Sequence, residues 1–326
     1  MNYTVYRMQF HTGVHLGMRR LEDGEHSLYA DTLFSALCQE AVQAGSDVLQ
    51  QFVSCSASGA VQFTDAFPYH EETCYIPKPM LTDCHQQDRD SVRKKALKKL
   101  EYIPADSLNA FLSGKLDVMK ESRTLKKMGA GEIRMHVFLD EEQSRPYPVG
   151  TYRFHDGWGL YFILGWKAES DRNAVENLLK GLQYAGIGGK RKSGLGRFTL
   201  IRCEKDEVGS GVPESLCQML QAGETESEDL EYISLTTALP SEAELDEALE
   251  NARYSIVRRS GFVSSETYSD VPLKKAESYM LKSGSVFQRR FEGEILDVSE
   301  TYSETNAHPV YRYAKPMFLG VKKNGK

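Results

Sequence analysis

Apolar and polar residues near the amino terminus follow first the period of a strand and then that of a helix. Residues 5–10 (VYRMQF) alternate as a strand does. Residues 30–45 (ADTLFSALCQEAVQAG) carry apolar side chains at helical spacing, with Asp31 at the position of a cap and Gly45 where a helix ends. The pattern therefore predicts a strand followed by a helix that Asp31 caps.

A second set of elements completes a known order of strands and helices. Residues 150–166 (GTYRFHDGWGLYFILGW) predict a β-hairpin that turns at residues 155–157. Residues 170–186 predict a helix capped by Ser170 or Asp171, and residues 197–204 predict a strand. Strand, helix, two strands, helix, strand is the ferredoxin-like order, which RNA-recognition-motif (RRM) domains share. We therefore predict an α+β protein whose first domain, residues 1–204, is RRM-like.

The remaining stretches predict an insertion, a linker and a second domain. About a hundred residues between the first helix and the hairpin exceed what this small fold needs, so we expect an insertion at about residues 66–130 that projects from the domain. Residues 205–230 have the polar composition of a loosely ordered acidic linker. Strand patterns then recur across residues 231–326, which predicts a second, smaller ferredoxin-like (RRM-like) domain.

Charge is segregated along the chain. The 326 residues carry a net charge of −6, but residues 204–252 alone contain 14 acidic residues and one basic residue. The other 277 residues therefore carry +7, grouped in short basic clusters such as RKKALKK at 93–99 and GKRK at 189–192. Such segregation favours a protein with one surface that faces a polyanion and one solvated acidic segment.

Composition indicates the compartment and excludes several kinds of site. The start of the chain has no signal-peptide pattern, and its longest apolar stretch, residues 159–166, is too short to cross a bilayer. We therefore expect a cytoplasmic protein without a membrane partner. The six cysteines form no C-x-x-C pair and fit no standard zinc spacing, so we expect free thiols, no metal site and no cofactor.

Residues 184–198 (YAGIGGKRKSGLGRF) combine five glycines with four cationic side chains. The stretch lacks a Walker motif, and Arg191 occupies the third glycine position of a dinucleotide fingerprint. Nucleotide loops also precede a helix, whose positive N-terminal end attracts phosphate, whereas this loop follows one. An RNA backbone, held by side-chain cations and by a main chain that glycine lets come close, is the better ligand. A glycine-rich turn with incidental charge is the structural alternative.

We predict RNA-binding residues in both domains. In the first domain they are His15 and the members of the loop 186–197: Gly186, Gly188, Gly189, Lys190, Arg191, Lys192, Ser193, Gly194 and Arg197. In the second domain they lie at predicted strand ends beside small residues: Arg258, Arg259, Phe262, Lys282, Gly284 and Ser285. Phe262 or Phe287 is suited to stack on a base, and each is equally suited to a hydrophobic core.

The loop, in its place between a helix and the last strand of a ferredoxin-like domain, resembles that of the repeat-associated mysterious proteins (RAMPs) of CRISPR–Cas systems. Further stretches are similar to the fourth Csm subunit of the type III-A interference complex. They are FHTGVHLG (10–17), YADTLFSAL (29–37), YIPKPML (75–81), KKLEYIPADSLNAFLSGK (98–115), VRRSGFVSS (257–265), LKSGSVF (281–287) and VYRYAKPMFLGV (310–321).

The resemblance implies a non-catalytic subunit in antiviral, RNA-guided defence. Members of this family hold the 5′ handle of the CRISPR RNA at the base of the effector complex. They contact the large polymerase/cyclase-like subunit and the repeated backbone subunit. An insertion in the first domain forms a thumb-like hairpin that contacts the guide, and we expect residues 66–130 to be that thumb.

The alternative is a metal-independent endoribonuclease that processes CRISPR RNA, because such RAMPs share the fold and the loop. That chemistry needs a general acid and base, and His11, His15 and His26 are the candidates. For His15 we favour a hydrogen bond within the turn after the first strand over a catalytic role. In the processing enzymes the loop lies near the end of the second domain, whereas here over a hundred residues follow it, which favours a binding protein.

Overall fold

The structure is a computed structural model that describes residues 1–17, 20–81, 91–139, 144–203, 214–263, 273–299 and 308–323. The strands are β1 (Asn2–Phe10), β2 (Val61–Phe63), β3 (Phe67–His70), β4 (Thr73–Pro77), β5 (Tyr102–Pro104), β6 (Gly129–Leu139), β7 (Ser144–Phe154), β8 (Trp158–Trp166), β9 (Phe198–Cys203), β10 (Leu230–Ser234), β11 (Ile256–Arg259), β12 (Ser278–Leu281), β13 (Val286–Phe287), β14 (Ile295–Asp297), β15 (Tyr311–Tyr313) and β16 (Phe318–Lys322). The helices are α1 (Ala30–Ala44), α2 (Ser46–Ala57), α3 (Ser91–Lys99), α4 (Leu108–Leu112), α5 (Val118–Leu125), α6 (Glu169–Ala185), α7 (Glu214–Ala222) and α8 (Leu245–Leu249).

The first sheet has the strand order of a ferredoxin-like unit. Its strands run β5-β4-β3-β8-β1-β9, and β2 also pairs with β8. Strand β8 pairs with β1 along one edge and with β2 and β3 along the other. It is buried along almost its whole length, because its alternate side chains enter the apolar clusters on the two faces of the sheet. Helices α1 and α6 cover one face of the sheet with their apolar side chains, which include Leu33, Phe34 and Leu182. The order strand, helix, strand, strand, helix, strand that the sequence predicts is thus present.

The hairpin predicted over residues 150–166 is wrong in its pairing. The turn exists, since the Trp158 N–H donates to the carbonyl of His155 at 3.0 Å. Strand β7, however, pairs with β6 over 11 residues, while β8 joins the first sheet. The reason is that both edges of β8 are already occupied by other strands. The second strand of the ferredoxin-like unit is therefore supplied by β2 and β3.

The ranges expected to form the insertion and the linker contain regular structure. Strands β3, β4 and β5, which lie within residues 66–130, extend the first sheet instead of projecting from it. The part that stands apart is the two-stranded ribbon of β6 and β7. Within the expected linker, residues 204–213 lie outside the described residues, and α7 follows as a helix that buries Leu216 and Leu220. The prediction of a loosely ordered connection is therefore wrong for α7.

The second domain is built on a short antiparallel sheet of order β13-β10-β16, with the ribbons β11-β12 and β14-β15 beside it. Together with α7 it covers the face of the first sheet that α1 and α6 leave open. Val5, Tyr161 and Ile163 of the first sheet share one apolar cluster with Leu216, Ile233 and Leu319. RRM domains bind RNA on this face of their sheet. In this chain it is occupied by protein, so any RNA site must lie elsewhere.

Two buried aspartates lie at the start of α1, and their roles differ from the sequence prediction. Asp31 does not cap the helix. The cap comes from Asp65, whose Oδ1 accepts from the Ala30 N–H at 2.8 Å and whose Oδ2 accepts from the hydroxyl of Thr237 at 2.6 Å. Asp65 thereby joins the first helix to the second domain.

Helix α6 also differs from the prediction at its start. It begins at Glu169, before the two residues predicted to cap it.

Asp31 forms a second polar link between the domains. It accepts two hydrogen bonds from Arg259, at 3.0 and 2.8 Å, and the Arg259 guanidinium lies 4.2 Å from the centre of the Tyr29 ring. Both partners are nearly buried, with side-chain exposures of 11% and 9%. Burial alone would raise the pKa of Asp31, but the charge of Arg259 and its hydrogen bonds outweigh burial and lower it. The carboxylate is therefore ionised at neutral pH.

The glycines of the loop 186–197 are needed mainly for packing within the protein. A Cβ at Gly196 would lie 1.9 Å from the carbonyl oxygen of Ile187, and one at Gly188 would lie 2.5 Å from that of His15. The main chain is held here by the Gly189 N–H, which donates to the carbonyl of His15 at 2.8 Å. Gly194, at φ +80°, has open space where a Cβ would be. Gly194 is thus the one glycine of this loop whose side-chain position is not closed by neighbouring atoms.

The buried ion pair predicts a pH-dependent loss of stability. We expect Asp31→Ala to lower the free energy of unfolding by about 3 kcal/mol at neutral pH, because it leaves Arg259 buried without its charge partner. Since folding lowers the pKa of Asp31, its contribution is present above the ordinary aspartate pKa and is lost as the pH falls through the folded value. Urea unfolding of both proteins between pH 7 and pH 3 measures the difference.

The adjacent exposed pair provides the control. Arg258 and Glu277 lie 3.1 Å apart, and each side chain is 45% exposed. Glu277→Ala should change the free energy of unfolding by less than about 1 kcal/mol at any of these pH values. Equal losses in the two variants, or a loss in Asp31→Ala that does not depend on pH, would contradict the account of the interface.

The loop packing predicts unequal effects of two glycine substitutions. Gly188→Ala should destabilise the protein more than Gly194→Ala, although both residues have positive φ, at +90° and +80°. The first places a methyl group against the main chain of His15, and the second adds only the strain of left-handed backbone, about 1–2 kcal/mol. Thermal unfolding monitored by circular dichroism compares them. Equal shifts would mean that the contact between the loop and His15 does not hold the loop in place.

Candidate RNA-binding cleft between the domains

A cleft of about 350 Å³ separates the glycine-rich loop from the second domain. Gly188, Gly189 and Arg191 line it from the loop, and His15 lines it from the turn after β1. The opposite wall includes two of the residues predicted in the second domain, Arg259 and Phe262. We refer to this cavity as the first cleft. It brings together predicted residues that lie about 70 positions or more apart in the sequence.

The first cleft contains more positive than negative charge. Arg259, Lys275 and Arg312 line it together with a single carboxylate, that of Asp31. The Arg312 Nε lies 3.8 Å from Asp31, and the Lys275 ammonium donates to the hydroxyl of Ser35 at 3.2 Å. Burial lowers the pKa of both Lys275 and Arg312, which means that their charged forms are costly here. An anion in the cleft would offset that cost.

The cations of the loop differ in their surroundings. The Lys190 ammonium lies 4.7 Å from the centre of the Tyr147 ring on the β6–β7 ribbon and donates to its hydroxyl at 3.2 Å. Arg191 donates to Gln39 and lies 3.9 Å from Glu40, so helix α1 orients it at the edge of the first cleft. Lys192, Ser193 and Arg197 are exposed. The loop thus presents charge both to the cleft and to solvent beside it.

The two aromatic candidates are now distinguished. Phe262 is 57% exposed and lines the first cleft, whereas Phe287 is fully buried. Phe287 packs edge-on against Phe291 and Phe318 in the core of the second domain. Of the two, Phe262 is therefore the side chain available to stack on a base.

A second cleft of about 260 Å³ lies at the same domain boundary. Ser27 and Tyr29 line both clefts, so the two are neighbours along one groove. The charged side chains that line the second cleft are Asp65, Lys78, Lys98, Glu101 and Lys282. Lys282 is the residue of this set that the sequence singled out. Lys78, Lys98 and Glu101 were missed because they lie in the range expected to form a projecting insertion, and Asp65 lies just before that range.

The remaining predicted residues of the second domain have structural surroundings. A Cβ at Gly284 would lie 2.8 Å from the carbonyl oxygen of Lys78, and the Gly284 carbonyl accepts from the Met80 N–H at 2.9 Å. The Ser285 side chain is buried, and its hydroxyl donates to the carbonyl of Lys282 at 2.5 Å. Arg258 is exposed and pairs with Glu277. Gly284 thereby holds the segment that follows β4 against the second domain, whereas the pair of Arg258 and Glu277 lies within the second domain.

The three histidines considered for catalysis make separate contacts. His15 is buried, with its Nδ1 2.6 Å from the carbonyl oxygen of Gly150. His11 Nε2 lies 2.6 Å from the hydroxyl of Thr199, and His26 Nε2 lies 3.4 Å from Glu101. Only His15 lines the first cleft. The hydrogen bond within the turn that the sequence suggested for His15 is therefore wrong, because its imidazole bonds to Gly150 on the β6–β7 ribbon instead.

Two classes of feature are not found in the described part of the chain. Among the described residues, no group of three or more histidine, cysteine, aspartate or glutamate side chains is arranged to hold a metal ion. None of the described helices has the length and apolar character needed to cross a membrane.

Comparisons with known proteins identify the relatives of this chain. Residues 227–321 match the family model for the CRISPR Csm4 C-terminal domain. The chain is 37% identical over 324 residues to the CRISPR system Cms protein Csm4 of Mycobacterium tuberculosis H37Rv, with 98% of each protein covered. It is 32% identical to the Csm4 protein of Streptococcus thermophilus, over 99% of this chain and 100% of that protein.

Solved structures support the same relationship at the level of the fold. A crystal structure of a Csm3–Csm4 subcomplex in the type III-A CRISPR–Cas interference complex aligns with a TM-score of 0.67, 15% identity and coverage of 99% of this chain and 100% of that one. A Csm1–Csm4 cassette in complex with cA4 aligns with a TM-score of 0.57, 17% identity and full coverage of both chains. The α+β RAMP fold is thereby confirmed, and the chain belongs to the Csm4 family of CRISPR–Cas proteins.

Proposed function

We propose that this chain holds the 5′ handle of a CRISPR RNA in the groove between its two domains. The observation that carries the proposal is the excess of positive charge in the first cleft, where Arg259, Lys275 and Arg312 share the single carboxylate of Asp31. Among the residues that line this wall, the positive charges of these three side chains therefore exceed the negative charge by two. A ribose-phosphate strand supplies anions at regular intervals and provides bases for Phe262 to stack on.

The glycine-rich loop forms the outer wall of this site. Arg191 is positioned by α1 beside the cleft, while Lys190 and Arg197 extend the basic surface along the loop. Gly194 has open space in front of its main chain. Since the sheet face that RRM domains use is covered by the second domain, this wall replaces it as the surface for RNA.

The β6–β7 ribbon takes the place that the sequence assigned to the thumb. Ile133, Met135 and Val137 alternate along β6 and are 68%, 64% and 55% exposed, so one face of the ribbon is an exposed apolar strip. Pro148 and Pro146 lie opposite the last two of these residues. We propose that this ribbon, instead of residues 66–130, is the thumb that contacts the guide beside the handle. Its connection to Lys190 through Tyr147 places it next to the loop.

The partners follow from the relatives. The solved Csm4 proteins are described in assemblies with Csm3 and with Csm1. We propose the same two neighbours for this chain, a repeated backbone subunit and a large subunit, within a cytoplasmic antiviral complex. Residues 214–252 of the acidic segment contribute no side chain to the lining of either cleft, which suits a protein neighbour or solvent better than RNA.

A non-catalytic role is favoured over RNA processing. The His15 imidazole is buried and fixed by its contact with Gly150, and a Cβ at Gly189 would lie 2.5 Å from its ring. His11 and His26 line neither cleft among the described residues. A general acid and a general base must both reach the reacting oxygens. The first cleft offers one immobilised imidazole for that purpose.

Removing loop charge should weaken RNA binding and reduce its salt dependence. Glutamate at position 191 would face Glu40, so the variant is Lys190→Gln/Arg191→Gln/Arg197→Gln in the full chain. If these side chains engage three phosphates of single-stranded RNA, the slope of log affinity against log salt should become less negative by about 2. Fluorescence anisotropy with a labelled handle RNA, measured across a salt series, reports both affinity and slope.

A matched variant with the same loss of charge provides the control. Lys167→Gln/Arg289→Gln/Lys323→Gln removes three exposed cations that line neither cleft, and it should change the slope by less than about 0.7, the share of one phosphate. Equal effects of the two variants would contradict the site.

The RNA should also remain intact throughout. Specific cleavage of a repeat RNA that is lost in His15→Gln would establish the processing enzyme instead.

A further inference from the structure

The second cleft has the composition of a pocket for a single nucleobase. Its walls include Leu28, Phe67 and Leu100, which are almost fully buried, and the ring of Tyr102. Its volume of about 260 Å³ lies just below the range of roughly 300 to 1,000 Å³ that whole small-molecule ligands occupy. A flat, largely apolar group with one polar edge fits such a cavity.

One carboxylate faces this pocket with room to accept hydrogen bonds. The Glu101 side chain is 53% exposed, and its Oε2 lies 3.4 Å from His26 Nε2. The hydrogen bond with His26, followed by the charges of Lys282 and Lys78, lowers the pKa of Glu101 against the effect of burial. An ionised carboxylate has two oxygens that accept hydrogen bonds and no donor.

The other carboxylate of the cleft is already committed. Asp65 accepts from the Ala30 N–H, from the Thr237 N–H at 3.1 Å and from the Thr237 hydroxyl. It is 3% exposed, and its contacts hold the two domains together. Glu101 is therefore the acidic group available to a ligand.

A group that only accepts hydrogen bonds distinguishes among the four bases. Guanine presents two adjacent donors on its Watson–Crick edge, the N1–H and the 2-amino group. Adenine and cytosine present one amino group beside an acceptor nitrogen, and uracil presents one N–H between two carbonyls. Two parallel hydrogen bonds to one carboxylate are therefore possible only with guanine, and unpaired bases are commonly recognised through this edge.

We propose that the second cleft receives one unpaired guanine of the bound RNA strand and that Glu101 recognises it through the N1–H and the 2-amino group. This inference rests on the proposed function, since it needs an RNA strand in the groove. Ser27 and Tyr29 line both clefts, so a strand bound in the first can reach the second without leaving the surface. Lys78, Lys98 and Lys282 line the second cleft and neutralise the flanking phosphates.

A selection from random RNA tests the proposal. The purified full-length chain is incubated with single-stranded RNA randomised over eight positions, and the retained RNA is sequenced. We expect guanine to be enriched at one position by about fivefold or more, as two hydrogen bonds to a base edge provide. In Glu101→Gln the enrichment should be lost, because towards a base edge the amide presents one donor beside one acceptor in place of two acceptors. Total RNA retention should stay within about twofold.

The control is Glu169→Gln, an equally conservative change at a glutamate that is 70% exposed and paired with Arg172. It should leave the guanine preference intact. An RNA with inosine at the selected position should bind the parent protein more weakly than the guanosine form, since inosine lacks the 2-amino group.

The outcomes separate this inference from the proposed function. Retention of RNA by the parent protein without a preferred guanine, or a guanine preference that persists in Glu101→Gln, overturns the inference and leaves the groove assignment standing. If the parent protein retains no RNA at moderate salt while the domains are folded, the proposed function and this inference both fail.

Discussion

The arrangement of this molecule depends on the contact of Asp31 with Arg259 across the domain boundary. Asp31 belongs to the first turn of the first long helix, and Arg259 ends a strand of the second domain. Two hydrogen bonds and near-complete burial fix the relative position of the domains. The same contact determines the charge of the first cleft, because it uses the one carboxylate among the residues that line that cleft and leaves Lys275 and Arg312 without an equivalent partner there. Stability and anion binding thus share one set of side chains.

Closing the two domains against each other also displaces the RNA site from its usual place in the fold. The second domain and α7 cover the open face of the first sheet, so its side chains form core instead of a binding surface. The first cleft at the edge of that interface is where cations, an exposed aromatic ring and the main chain of Gly188 and Gly189 come together. The glycine-rich loop contributes cations and one open glycine. Gly188 and Gly189 allow the loop to pack tightly on the turn after β1, and Gly186 and Gly196 allow it to pack on itself.

The sequence predicted what local patterns determine. The periodicity of α1, α6, β1 and β9 follows from nearby residues, and so does the loop that joins α6 to β9. Those patterns do not determine which distant segments pair. The residues of β8 are equally suited to pair with β7, and only the occupied edges of β8 exclude that pairing. The same limit explains why Lys78 and Glu101 were not predicted as site residues. They line the second cleft because β4 and β5 extend the first sheet. Asp31 was assigned to a cap from its position alone, whereas its partner lies 228 residues away.

The most direct test of this account is a cryo-electron microscopy reconstruction of the chain assembled with its guide RNA and its neighbouring subunits. The account predicts that the 5′ handle runs between the domains, with a backbone phosphate within about 4 Å of Lys275 or Arg191, the distance of an ion pair. A reconstruction with an ordered handle that crosses another surface, and with protein or solvent alone between the glycine-rich loop and Phe262, would contradict it.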